Sequence, residues 1–148
     1  MEEIIASNSA KVQGYERIKN LLGKKVIAKN GEVVGKVKDV AIENYDIKGV
    51  FCCKWFDRVY IDKSNFETFS AEAIILKINP VTLLKGKIVF DSAGRRVGTV
   101  KHVNRDDTSN SIKSLTVRTK IYKPKLEIKP SQISIMKKNI ILKTEYEG

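Results

Sequence analysis

Apolar residues in this chain recur at alternate positions in short runs broken by glycine, asparagine, aspartate and proline, the spacing of β-strands rather than helices. Lys24 to Ala28 and Glu32 to Ile42 flank Asn30-Gly31, a dipeptide suited to positive φ, and predict a hairpin closed by a tight turn. Gly35, inside the second run, predicts a bulge or sharp bend. Glu43 to Gly49 is polar and predicts a connection. Val50 to Phe56, VFCCKWF, is apolar on both faces, with Val50, Cys52 and Phe56 on one and Phe51, Cys53 and Trp55 on the other. Such a strand calls for cover on both sides. Phe51, Cys53 and Trp55 are therefore candidates for an inter-domain or protein contact. Asp57-Arg58 predicts a turn, Val59 to Asp62 a short strand, Lys63 to Glu72 a loop or helical turn starting near Ser64, and Ala73 to Ile78 a closing strand.

The pattern then starts again. Pairing each residue with the one 63 positions later gives 10 identities over the 20 pairs from Leu21 to Val40, among them Gly23 with Gly86, Gly31 with Gly94 and Gly35 with Gly98. This density identifies an internal duplication. In the second copy the pattern predicts a strand at Lys87 to Phe90, a turn at Asp91 to Gly94, a kinked strand at Arg95 to Asn104 and a loop at Arg105 to Ser111. Ile112 to Tyr122 alternates, with Leu115, Val117, Thr119 and Ile121 facing inward and a basic outer face. Lys123-Pro124-Lys125 turns the chain, Leu126 to Ile128 is a short strand, and Asn139 to Lys143 echoes Ile74 to Lys77. The expected organisation is an arm at 1–20 with a short helix, a domain at 21–78, a linker at 79–82, a second domain at 83–144 and a tail at 145–148. Domains of this size bury little surface alone, so the copies are expected to pack on each other or on partners.

Composition refines this picture in two ways. No apolar run reaches the roughly 18 residues of a membrane span, and the first residues lack a secretory leader pattern, so the expected setting is the cytoplasm. The net charge of +11 is unevenly placed: residues 21–78 hold ten basic and eight acidic side chains, whereas residues 83–144 hold fifteen and four. A positive field confined to one copy points to a polyanionic partner. The candidate residues for an anionic or nucleic-acid partner are Arg95, Arg96, Arg105, Lys113, Arg118, Lys120, Tyr122, Lys123 and Lys125, with Tyr122 placed to stack on a base.

The order hydrophobic, turn glycine, then Val-Gly-x-Val-x-Asp-Val, as in Gly31-Glu32-Val33-Val34-Gly35-Lys36-Val37-Lys38-Asp39-Val40, resembles the PRC-barrel family. Two such modules cover roughly residues 21 to 144, the second with His102 in place of Asp39. The resemblance implies an all-β chain of two tandem small, strongly bent barrels, of archaeal origin, acting as non-enzymatic adaptors. Family members occur in a photosynthetic reaction-centre subunit, a ribosome maturation factor and archaeal cell-division adaptors.

Nothing in the sequence points to catalysis. His102 is the one histidine, and no phosphate-binding loop, nucleophile elbow or metal-protease motif occurs. Cys52 and Cys53 are adjacent, which suits neither a disulfide nor a zinc site. Asp91, Asp106 and Asp107 sit in predicted turns, where aspartate is expected without a metal. No catalytic, metal or cofactor site is expected. The reading is an adaptor that docks on RNA or a ribonucleoprotein surface, such as the ribosome, through the second barrel and on protein through the first. The alternative is an archaeal cell-division scaffold holding proteins near an anionic membrane surface. Self-association is compatible with both.

Overall fold

The structure, a computed structural model, describes residues 17–106 and 109–147. The chain is all-β and divides after Lys77 into two compact units. Most of the expected N-terminal arm lies outside the described residues. Its described end is a single helical turn, α1 (Ile18–Leu21), which buries Leu21.

The first unit comprises β1 (Lys25–Ile27), β2 (Val33–Glu43), β3 (Asp46–Lys54), β4 (Asp57–Asp62), β5 (Phe66–Phe69) and β6 (Ala73–Leu76). They form one curled six-stranded sheet in the order β4-β3-β2-β1-β6-β5, in which only β1 and β6 run parallel. The second unit repeats the plan with β7 (Ile88–Phe90), β8 (Arg96–Arg105), β9 (Ile112–Arg118), β10 (Leu126–Ile128), β11 (Ile133–Met136) and β12 (Ile140–Leu142) in the order β10-β9-β8-β7-β12-β11. These are the two small barrels expected from the duplicated pattern. Alternation fills each interior: Val26, Val37, Val50, Ile74 and Leu76 are buried in the first unit, and Val89, Val100, Leu115, Val117, Ile128 and Ile140 in the second.

The repeated glycines do two different jobs. Gly31 and Gly94 take φ of +90° and +83° in the β1–β2 and β7–β8 turns, a conformation that costs other residues a clash with their own Cβ. Asn30 does not share the positive φ; its side chain instead bridges to Glu32, so the turn is longer than the two-residue form expected. Gly35 and Gly98 lie inside β2 and β8, where a neighbouring strand crosses closely. A Cβ on Gly35 would stand 2.6 Å from the carbonyl oxygen of Cys53, and one on Gly98 would collide with the Arg118 carbonyl. The register shift comes beside Gly35: Val26 faces Gly35 and Ile27 faces Val33, skipping Val34. The expected kink is therefore present, with the glycine itself required by close approach.

Several elements differ from the sequence expectation. Glu43 to Gly49 is not a loop: β2 and β3 continue to a two-residue turn at Asn44-Tyr45, both with positive φ, the geometry that matches strand twist. The strand expected through Phe56 ends at Lys54, and Trp55-Phe56 forms the turn to β4. β5 lies in the stretch Lys63 to Glu72 expected as a loop or helical turn, and β11 has no counterpart in the expected elements; Phe66–Phe69 and Ile133–Met136 each hold only four residues at a sheet edge.

Candidate anion-binding site of the second unit

The duplication makes the second unit's distinguishing feature easy to isolate. In the first unit the β3–β4 ladder runs down to Lys54 opposite Asp57, leaving two residues in the turn. In the second, the β9–β10 ladder ends at Val117 opposite Leu126. Continued register would set Thr119 against Pro124, which has no N–H to donate, so pairing fails there. Residues 119–125 therefore leave the sheet as a loop with its own turn, Lys123 N–H donating to the Lys120 carbonyl at 3.2 Å. This corrects the expectation of a strand through Tyr122: Ile121, expected to face inward, is 92 % exposed.

Between this loop, the start of β8 and the C-terminal segment lies a cavity of about 590 Å³. Its lining includes six cations, Arg95, Arg96, Lys101, Arg118, Lys120 and Lys123, and two carboxylates, Asp91 and Glu147, with Thr99, Thr119, Ile121 and Tyr146. Of the nine candidates for an anionic partner, the structure brings Arg95, Arg96, Arg118, Lys120 and Lys123 to one cavity. Tyr122 is exposed on the same loop, with the Lys120 ammonium 5.9 Å from its ring centre, but does not line the cavity. Lys125 is exposed at the loop's end. Arg105 and Lys113 belong to the far end of β8 and the start of β9, where Arg105 donates to the Ser109 carbonyl at 3.1 Å and Lys113 pairs with Asp106 at 2.8 Å.

These cations are not equivalent. Arg95 is held by Asp91 at 3.0 Å and by Glu145 at 3.6 Å, and it also donates to the Tyr146 carbonyl. Asp91 is buried and accepts from the backbone N–H of Ala93, Arg95 and Tyr146 as well as from the Arg95 guanidinium. Burial pushes the Asp91 carboxyl up, but the Arg95 and Tyr146 amides and the Arg95 charge outweigh it, and its pKa lies below the ordinary value. Asp91 thus fastens the C-terminal segment to the β7–β8 turn, and Arg95 serves mainly to neutralise it. By contrast, Arg96, Lys101, Arg118, Lys120 and Lys123 have no carboxylate partner among the described residues. Arg96 makes one contact, to the Thr99 hydroxyl at 3.3 Å.

The first unit offers no such cluster at the corresponding positions. Where the second unit has Arg95, Arg96 and Arg118, the first has Glu32, Val33 and Cys53, as the identical strand registers show. Its own candidates are dispersed. Phe51 is half-buried and packs on Tyr60, ring centres 5.2 Å apart, and Cys53 is half-buried opposite Arg58. Trp55 stands in the turn with φ +60° and 86 % exposed, beside the fully exposed Phe56. Sequence reasoning missed Thr99, Thr119 and Tyr146 at the cavity and took Asp91 for an ordinary turn residue. Asp91 could have been found from its replacement of Ala28, a core position in the first copy.

Among the described residues, no helix is long and apolar enough to cross a membrane. Residues 13–74 match the family model of the PRC-barrel domain. No curated protein matches the chain.

Proposed function

We propose that the chain, which carries a PRC-barrel domain at residues 13–74 and hence a fold of the binding type, is a non-enzymatic adaptor whose second unit docks on RNA or a ribonucleoprotein surface. The observation that supports this is the group of five cations without carboxylate partners around one concave face. Exposed lysines scattered over a surface serve solubility, whereas cations converging on a cavity repel one another and gain from an anion between them. The first unit takes the protein contact. Its Trp55-Phe56 turn supports that role, because a bulky residue at positive φ costs about 1 kcal/mol and exposes apolar area without any gain to the fold.

Affinity purification with and without nuclease tests the proposal. RNA retained by the wild-type chain should be lost when Arg118, Lys120 and Lys123 are together changed to glutamate, while partners held by the first unit should survive nuclease and fall away with Trp55→Ser. Equal RNA retention by the charge-reversed chain would refute the reading of the second unit.

A further inference from the structure

We infer that the cavity of the second unit is a pocket for one nucleotide, taken as a free mononucleotide or as one unit of a single-stranded RNA. The inference deepens the RNA-docking reading and rests on it for the second of these sources. A flat basic surface serves any polyanion, but this site is concave, and about 590 Å³ lies in the range of small-ligand pockets. A duplex, whose bases are stacked inside, has no single group to place there. An unstacked nucleotide does.

The lining offers each part of a nucleotide a counterpart. Arg96, Arg118 and Lys101 supply positive charge for the phosphate and, in a strand, for those flanking it; none of the three is in an ion pair among the described residues, although Glu147 and the Asp91 already tied to Arg95 also line the cavity. Tyr146, packed against the core beside them, and Ile121 supply an aromatic and an apolar wall for a ring. Thr119 carries the remaining signal. Its Oγ1 is the one buried side-chain oxygen or nitrogen among the described residues without a hydrogen-bond partner. A buried hydroxyl left unpaired is unfavourable and rare in native proteins. Thr119 itself lines the cavity, and its hydroxyl, closed to solvent as it stands, would meet a ligand's polar edge on turning about χ1 toward the cavity. The loop is also new to this copy: at the corresponding place the first unit's ladder runs on to Lys54 opposite Asp57.

The experiment uses the full chain with adenosine 5′-monophosphate, inorganic phosphate, and a labelled oligoribonucleotide of about ten residues as single strand and as duplex. The mononucleotide should bind at one site, displace the single strand, and bind more tightly than phosphate alone. Thr119→Val, nearly isosteric, should weaken the mononucleotide about fivefold by removing one hydrogen bond. Thr99→Trp, which fills the cavity without changing charge, should abolish mononucleotide binding and any preference for the single strand, leaving salt-dependent duplex retention in place. If RNA is retained but the mononucleotide does not bind and Thr99→Trp binds the single strand like wild type, the pocket inference falls and the RNA-docking reading stands. If the mononucleotide binds and responds to Thr119→Val but RNA is not retained, the pocket stands with a free nucleotide as its ligand and the docking reading falls. If phosphate competes as well as the mononucleotide and Thr119→Val has no effect, the site recognises an anion only and the inference is overturned.

Discussion

Salt titration separates the five cations at the cavity that lack a carboxylate partner from the rest of the basic surface. Each phosphate neutralised on a single strand contributes about −0.7 to the slope of log K against log salt. If Arg96, Lys101, Arg118, Lys120 and Lys123 all engage phosphates, the slope is about −3.5, and affinity falls about 100-fold between roughly 50 and 200 mM salt. Changing Arg118 or Lys101 to glutamine removes one contact and reduces the slope by about 0.7. Lys113→Gln is the internal control. Lys113 already pairs with Asp106 at 2.8 Å, away from the cavity, so its charge is offset within the protein and its loss should leave the slope within error of wild type. Fluorescence anisotropy of a labelled single strand across a potassium chloride series measures all four proteins in one format. A Lys113→Gln slope reduced as much as that of Arg118→Gln would mean that net charge, not the arrangement at the cavity, governs binding.

Three further outcomes follow from the geometry. Gly98→Ala sets a Cβ against the Arg118 carbonyl and should cost about 2 kcal/mol, lowering the melting temperature of the second unit by about 10 °C, whereas Gly94→Ala, strained only by its φ of +83°, should cost about half as much; equal losses in thermal melts would refute the close-approach account. Burial, with a smaller effect from neighbouring Cys53, pushes the Cys52 thiol up to about 11, so in a Cys53→Ser background Cys52 should resist alkylation at pH 7.5 until denaturant is added, and prompt native labelling would contradict it. Because the folded pKa of Asp91 lies below its unfolded value, its stabilising effect is complete above the ordinary carboxylate pKa of about 3.9 and is lost as pH falls through the folded value; acid unfolding of the second unit should flatten over that window in Asp91→Asn, and an unchanged acid limb would count against the buried network.

The parts of this molecule legible in sequence are those governed by local periodicity. Alternation at Lys24 to Val40 and its repeat at Lys87 to Val103 located the paired central strands of both units, because a strand with one buried face must place apolar residues at every second position. Edge strands such as Phe66–Phe69 escaped because their residues are largely exposed and their pairing is decided by a distant partner, β6. Ile112 to Tyr122 failed for an instructive reason. Its alternation is continuous, but a ladder needs a partner, and the break is set by Pro124 across the hairpin rather than by anything within the run.

That single break also explains why the candidate site was only half readable. Counting charge found Arg96, Arg118, Lys120 and Lys123, yet gave Arg95 and Lys113 the same weight, although each is tied to a carboxylate. Pairing of charges is a three-dimensional property, and so is the vacancy beside Thr119. In the first unit the ladder closes with Lys54 opposite Asp57 over a two-residue turn. In the second it stops at Val117, releases Thr119 from a strand position and leaves a cavity walled by residues from three separate segments. The two copies share a barrel because the glycines and the alternating valines are retained. They differ in shape where one hairpin does not finish: the first closes in a two-residue turn, and the second opens into a loop that lines a cavity.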